Sequence, residues 1–179
     1  MKTQGIRIGV ITVLAVAAFW VAGCSKRPAH GAVTSSASMV IEPGVCIGPV
    51  RSGMTIQQAK AELGEPDQRE KDSSSILEYH SLGIKILRGN KAGLVGTVLC
   101  LDAGRAGTSI KSFAGHTKEG IGIGSSRAEV ISAYGEPTVI EHGRGNSESE
   151  TLTYKPLGLD FRIGDGKVRL IAVFFKTTP

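Results

Sequence analysis

Two short stretches of the chain have the apolar spacing of an amphipathic helix. Each forms one apolar stripe, made of Ile56, Ala59 and Leu63 in the first stretch and of Val130, Ile131 and Tyr134 in the second. Each begins with a capping box, in which side chains satisfy the first free amides of a helix: Thr55 with Gln58, and Ser126 with Glu129. Gly64 and Gly135 can adopt the left-handed conformation that ends a helix. The pattern predicts two helices of about two turns each.

The period of apolar residues changes to two after each predicted helix, as in a half-buried strand. Leu77 and Tyr79 alternate with polar neighbours, and Leu152 and Tyr154 do the same. Hairpin turns are predicted where glycines adjoin a polar residue that tolerates positive φ: 89–90 and 164–166. A nearly continuous apolar run then closes each pattern, as expected for a strand covered on both faces or placed mid-sheet: 94–101 and 168–175.

These patterns form an internal repeat. The triplet Gly-Glu-Pro occurs at 64–66 and again at 135–137, and the pattern Leu-x-Tyr-x-x-Leu-Gly occurs at 77–83 and at 152–158. Because both blocks recur in the same order, we predict an α+β fold of two tandem repeats, each a short helical segment followed by an antiparallel β-meander. The predicted organisation is repeat one at 45–104, a connector at 105–120 and repeat two at 121–179.

The N-terminal segment has the layout of a bacterial export signal. Lys2 and Arg7 precede a stretch without charged side chains that extends to Ser25. The residues Val-Ala-Gly-Cys at its end resemble the lipobox of bacterial lipoproteins, which implies that 1–23 is a signal peptide and that Cys24 carries a diacylglycerol. Ser25, rather than aspartate, then implies sorting to the outer membrane. A plain transmembrane anchor is the alternative interpretation, and 24–44 is predicted to be a flexible tether.

The charge of the chain excludes one class of partner. There are 21 Lys and Arg residues against 16 Asp and Glu residues, and the basic residues are scattered along the sequence. Because no basic stripe interleaved with aromatic residues is present, nucleic acid is not a predicted partner.

Two cysteines remain in the exported part, Cys46 and Cys100. Export places them where disulfides persist, so we predict a bridge between them. Closing a loop of this length stabilises a fold by about 4 kcal/mol in the chain-entropy model. The alternative is a pair of buried free thiols in apolar strands.

The start of the first repeat resembles a known lipoprotein family. Gly53-Met54-Thr55, Ala59 and the helix stop at 63–66 are similar to the opening of SmpA/OmlA-type (BamE-like) lipoproteins. Two such units in tandem also resemble the arrangement of the β-lactamase inhibitor protein, in which paired repeats present a joint sheet surface. The resemblance implies a fold and an envelope role. It assigns no residue to a partner, because the matched positions are structural.

No arrangement of residues in the sequence predicts catalysis. The histidines lie in contexts without metal spacing or a partnered nucleophile: His30, His80, His116 and His142. The loop at 141–150 gathers carboxylates and an imidazole but lacks the ligand spacing of a calcium loop, and the glycines at 120–124 lack a surrounding βαβ unit. We therefore predict no enzyme activity, no cofactor and no metal.

Tyr79 and Tyr154 recur at equivalent positions of the two repeats. A buried ring with a bonded hydroxyl is the default for such a strand position, and contact with a partner is the alternative that makes them candidate binding residues. Taken together, the sequence predicts a lipid-anchored, non-catalytic envelope protein that binds or scaffolds a protein partner. An inhibitor of an extracytoplasmic hydrolase and a small envelope hydrolase remain alternatives.

Overall fold

The computed structural model describes residues 39–69, 76–90, 93–103, 109–143 and 149–175. Its helices are α1 (Ile56–Leu63) and α2 (Arg127–Tyr134), and a short 3-10 helix covers Lys155–Leu157. The strands, in chain order, are β1 (Val40–Glu42), β2 (Cys46–Ile47), β3 (Val50–Arg51), β4 (Gln68–Arg69), β5 (Ile76–Tyr79), β6 (Ile84–Arg88), β7 (Val95–Leu101), β8 (His116–Thr117), β9 (Val139–His142), β10 (Glu150–Tyr154), β11 (Leu159–Gly164) and β12 (Lys167–Phe174).

The strands form two sheets. The small sheet has the order β3-β2-β1-β8, in which β1 and β8 are parallel. The large sheet has eight strands in the order β4-β5-β6-β7-β12-β11-β10-β9. Its two middle strands, β7 and β12, are antiparallel; β7 lies near the middle of the described chain and β12 at its C-terminal end.

The fold is mainly β, so the prediction of an α+β fold of two tandem repeats is wrong. Strands make up 44% of the described residues, which also contain two α-helices of 8 residues each. The predicted mid-sheet position of 94–101 and 168–175 is confirmed, because β7 and β12 pair with each other at the centre. This pairing fuses the two predicted meanders into one sheet, so they are not separate units.

Both helices begin at the predicted capping boxes, but the glycines that end them adopt a different conformation from the predicted one. The capping boxes at Thr55 and Ser126 are present, each with its reciprocal pair of hydrogen bonds. Gly64 has a φ of 86° and a ψ of −171°, and Gly135 has a φ of 74° and a ψ of −164°. The predicted left-handed helical stop is therefore wrong. The chain instead leaves each helix through a positive φ with an extended ψ, which is a conformation typical of glycine.

One hydrophobic cluster holds the described elements together. It contains residues of both helices, of the small sheet and of alternate positions in the large sheet. In α1 the whole predicted stripe is buried, whereas α2 buries only Val130 completely, and Tyr134 packs against the cluster with part of its surface exposed. The helices and the small sheet thus cover one face of the large sheet.

The folded part of the chain begins before the predicted start of repeat one, and it includes residues of the predicted connector. Met39 is 1% exposed and β1 starts at Val40, so the end of the predicted tether (24–44) belongs to the fold. In the predicted connector (105–120), Ile110 and Phe113 are buried and β8 pairs with β1. The predicted signal peptide (1–23) and Cys24 lie outside the described residues, within which no helix is long and apolar enough to cross a membrane.

The predicted bridge between Cys46 and Cys100 is wrong, because Cys100 is a free thiol. Cys100 is fully buried on the core face of β7, between Ile84 and Ile171 on the neighbouring strands. Burial in these apolar surroundings raises the pKa of the Cys100 thiol. Cys46 is also buried, but it belongs to β2 in the small sheet.

Candidate functional site

The second face of the large sheet is the candidate functional site. Side chains alternate between the two faces of a strand. Because Val98 and Cys100 of β7 are buried in the core, Thr97, Leu99 and Leu101 lie on the other face. The same holds for the strands on either side. We call this surface the open face and define it by residues of the four middle strands: Lys85, Leu87, Thr97, Leu99, Leu101, Asp160, Arg162, Leu170, Ala172 and Phe174.

The centre of the open face is apolar. Three cross-strand pairs between β7 and β12 form it: Leu101 with Leu170, Leu99 with Ala172, and Thr97 with Phe174. None of these residues belongs to the hydrophobic core cluster. Phe174 is 41% exposed, Thr97, Leu99 and Leu170 are half-buried, and Leu101 and Ala172 are buried, at 8% and 5% exposure. A run of apolar residues on the middle strands of a sheet, left outside the core, is a feature of surfaces that bind other molecules.

Charged residues flank the apolar centre on both sides. Lys85 lies beside Leu99 on β6, and Asp160 lies beside Ala172 on β11. Three strand spacings separate these two residues, which places them about 14 Å apart. The open face therefore carries Lys85 on the β6 side of its apolar centre, and on the β11 side it carries Asp160 together with the exposed Arg162, two residues further along the strand.

Lys85 belongs to a hydrogen-bonded cluster at the β5 side of the open face. Its ammonium donates to Glu78 Oε1, and the second carboxylate oxygen of Glu78 lies 2.9 Å from Nε2 of His80. Burial raises the pKa of Glu78, but the hydrogen bonds from Lys85 and His80 and their charges lower it by more, so the net shift is downward. The cluster thus holds Glu78 in its ionised form.

Asp160 has a less favourable environment for its charge. Burial raises its pKa, and the nearby carboxylate of Glu141 adds to this effect. A hydrogen bond from Thr153 and the charge of Arg162 act in the opposite direction without cancelling the shift. A cation placed above Asp160 would therefore stabilise its ionised form.

Two clefts open on this face. One of about 310 Å³ lies over the apolar centre, between Lys85 on one side and Asp160 and Arg162 on the other. The second, of about 550 Å³, lies where the β9–β10 and β11–β12 hairpins approach each other. Its lining includes Arg169, which donates to Asp102 and to Asp165 over 2.9 and 3.1 Å. Arg169 therefore pairs with two of the carboxylates of the second cleft, whereas the first cleft lies directly over the apolar centre.

The two tyrosines predicted as candidate binding residues are structural. Tyr79 is 2% exposed and Tyr154 is 4% exposed, so neither presents a surface to a partner. Their hydroxyls donate to the carbonyl oxygens of Gly64 (3.1 Å) and Gly135 (2.9 Å), at the ends of the two helices. The partner-binding prediction is corrected accordingly: both residues fasten a helix end to the large sheet.

One histidine lies between a hydroxyl and a carboxylate. Nδ1 of His80 is 3.4 Å from Oγ of Ser109, and its Nε2 contacts Glu78. A nucleophile and its base lie about 2.6–3.2 Å apart in most such pairs, and here the acid partner is also bound to Lys85. The geometry is that of a local polar cluster more than of an activated serine.

The other candidate ligands are dispersed. Nδ1 of His116 lies 2.9 Å from the carbonyl oxygen of Thr117, His142 is exposed in β9, and His30 lies outside the described residues. Within the described ranges no three His, Cys, Asp or Glu side chains are grouped closely enough to hold a metal ion. The loop at 141–150 lies partly outside those ranges.

Sequence reasoning missed the open face. The signal was present in the polar partners of the alternating strands, since Glu78 and Lys85 occupy the positions between buried residues. Leu99 and Ala172 gave no such signal, because they lie in nearly continuous apolar runs whose two faces look alike.

Comparison with known proteins identifies no family. No family model matches this chain, and no curated protein matches it either. Among solved structures it is similar to a DUF4309 family protein (YjgB) from Bacillus subtilis, with 14% sequence identity and a TM-score of 0.48, over 69% of this chain and 80% of that one. The resemblance to BamE-like lipoproteins stays a prediction.

Proposed function

We propose that this chain is a lipid-anchored protein of the cell envelope that binds a protein partner through the open face and has no catalytic activity. Its anchor is the lipid on Cys24, and its place is the outer membrane, on the periplasmic side. The observation that carries the binding proposal is the apolar centre on β7 and β12, where Leu99, Leu170 and Phe174 stay partly exposed outside the hydrophobic core cluster although these are the two middle strands of the large sheet.

The backbone of the open face suits binding at a low entropic cost. β7 is hydrogen-bonded to β6 and β12, and β12 is hydrogen-bonded to β7 and β11. Side chains on such strands are already held in position, so little conformational freedom is lost when a partner docks. Binding would then remove Phe174 and its half-buried neighbours from water, which contributes about 25 cal/mol for each Å² of apolar surface.

The flanking charges define the partner that fits. It presents an apolar strip to the centre, an acidic group to Lys85, and a basic group to Asp160. A partner with the opposite arrangement would bring like charges together and be rejected, so the charges supply specificity while the apolar centre supplies affinity.

Site-specific photo-crosslinking in cells tests the proposal. A photoreactive amino acid is placed at Leu99, at Phe174 or, as a control, at Val45, which is 45% exposed in the turn between β1 and β2. We expect a discrete protein adduct from the two open-face positions and none from Val45. Absence of an adduct from both open-face positions, or equal yield from Val45, would contradict the proposal. An adduct with a secreted hydrolase would instead support the inhibitor alternative.

The anchor is tested separately. Cys24→Ala should leave the precursor unprocessed by the lipoprotein peptidase and abolish labelling with radioactive palmitate. Labelled palmitate in the variant would show that the lipobox interpretation is wrong, and it would leave the open face untouched.

A further inference from the structure

A row of open-face residues crosses the large sheet in register and limits what can pack on it. From β5 to β10 the row contains, in order, Glu78, Lys85, Leu99, Ala172, Asp160 and Thr153. Its midpoint lies between Leu99 and Ala172. Lys85 and Asp160 are therefore at equal distances on either side of the midpoint, and their charges are opposite.

We propose that the partner of the open face is a second copy of this chain, packed face to face about a two-fold axis that lies between the two large sheets and runs parallel to β7 and β12. This inference rests on the proposed function, because it names the partner of the same surface. Rotation about the axis exchanges the two sides of the row and keeps each residue at its level along the strands. Leu99 then lies over the partner's Ala172, and Lys85 lies over the partner's Asp160. Each contact occurs twice, because a two-fold interface is isologous.

The charged contacts fit the spacing of packed sheets. Two sheets pack face to face about 10 Å apart. The long side chain of Lys85 can cross most of this distance, and its ammonium has three donors, so it can keep its bond to Glu78 while donating to the partner's Asp160. At the ends of the row, Glu78 lies over the partner's Thr153, which is uncharged. No residue of the row faces a like charge.

The apolar contacts of this arrangement also match in size. Within the row, Leu99 lies over a small residue, the partner's Ala172. Two residues further along the strands, Phe174 lies over the partner's Thr97, which is again smaller. On the other side Leu101 and the partner's Leu170 pack as two similar apolar residues. Pairing large with small residues across two layers allows them to interdigitate at the density of a protein core.

The charge pattern selects this axis over the other one available. A two-fold axis between the sheets but perpendicular to the strands would place Lys85 over the partner's Lys85 and Asp160 over the partner's Asp160. Like charges in an interface disfavour association strongly. Of these two orientations, the one with the axis along the strands brings opposite charges together.

Charge exchange tests the inference. The mature lipidated protein in detergent micelles is examined by sedimentation velocity, as wild type and as the variants Lys85→Glu and Asp160→Lys. We expect the wild type to be dimeric and each variant to have a dimer dissociation constant higher by about tenfold or more, because each substitution creates two like-charge contacts. Lys118→Glu, beside the small sheet and paired with Glu42, is the control with the same change in charge and should stay dimeric.

Mixing the two variants gives the sharper result. In a mixed dimer of Lys85→Glu with Asp160→Lys, both charged contacts become attractive again, so tagged and untagged variants should associate although neither associates with itself. The double variant Lys85→Glu/Asp160→Lys should likewise dimerise. Thermal melting of each variant confirms that it is folded. Failure of both the mixture and the double variant to associate, with folded proteins, would overturn the proposed axis.

Two outcomes separate this inference from the proposed function. If the wild-type protein is monomeric at submillimolar concentration while a photoreactive residue at Leu99 captures a different protein in cells, the second copy is ruled out and the open face remains a binding surface. If the wild type is monomeric and no adduct forms, both proposals fail.

Discussion

Replacing Gly64 or Gly135 with alanine tests how the two helices end. Both glycines combine a positive φ, of 86° and 74°, with a ψ near ±170°. Residues with a Cβ atom rarely adopt this conformation, which costs them about 1–3 kcal/mol. A Cβ atom added at either position would have no heavy atom within 4 Å, so collision adds nothing to this cost. We therefore expect each substitution to lower the free energy of unfolding by about 1–3 kcal/mol, and the two by similar amounts.

Urea denaturation of the purified, folded protein measures these losses as a lower midpoint concentration of urea at an unchanged slope of the free energy of unfolding. Gly164→Ala is the matched control. Its φ lies outside the left-handed region, and the nearest atom to an added Cβ is on the flexible side chain of Arg169, at 3.2 Å. The control therefore combines the stabilising effect of alanine on the unfolded chain with a small shift of the flexible Arg169 side chain, and we expect little net change in the free energy of unfolding.

Gly83→Ala should cause the largest loss of stability among these glycine substitutions. Gly83 has a φ of 68°, and a Cβ atom there would collide with backbone atoms of Lys111 and Phe113. We expect a larger loss than at Gly64 or Gly135, because steric overlap adds to the cost of the angle. If Gly64→Ala and Gly135→Ala are no more damaging than Gly164→Ala, or if only one of the two is damaging, the account of the helix ends is refuted.

Three further predictions concern single side chains. Tyr79→Phe and Tyr154→Phe should each lower the free energy of unfolding by about 0.5–1.5 kcal/mol, through loss of the bond to a helix end, without changing photo-crosslinking from the open face; a lost adduct would restore their partner-binding role. Because the pKa of Glu78 is lowered from its ordinary value of 4.5, its charged form stabilises the fold above that pH, and this contribution disappears as the pH falls through the lowered pKa. Glu78→Gln should therefore destabilise the protein at pH values near neutrality, and its melting temperature should approach that of the wild type in acid; a difference independent of pH would contradict this. Cys100 should resist alkylation of the native protein with or without reductant and react only after denaturant is added, whereas reaction of the native protein would mean that the strand opens locally.

Local features of the fold could be predicted because their causes lie within a few residues. The capping boxes at Thr55 and Ser126 depend on contacts across three residues, and both are present. The turn at 164–166 depends on residues that tolerate positive φ, and Asp165 and Gly166 have φ values of 51° and 71°. In these cases the side chains that determine the structure are neighbours in the sequence.

Features that depend on distant pairing could not be predicted in the same way. The two meanders form one sheet because β7 pairs with β12, with Leu99 opposite Ala172. No residue on either strand indicates in the sequence which strand it will pair with. The disulfide prediction failed for a related reason. The apolar run that contains Cys100 does not show which of its faces is covered, and the sheet happens to direct this thiol into the core. The same ambiguity hid the open face.

The place of β12 at the centre of the large sheet has a consequence for how the protein is made. β7 is the last strand of the first meander, and its partner β12 is the last strand of the described chain, so one edge of β7 stays unpaired while the residues between them are synthesised. An uncovered apolar strand edge is a template for aggregation. Premature termination or proteolysis before β12 would therefore leave β7 with an unpaired edge, and we expect such a fragment to aggregate more readily than the full chain.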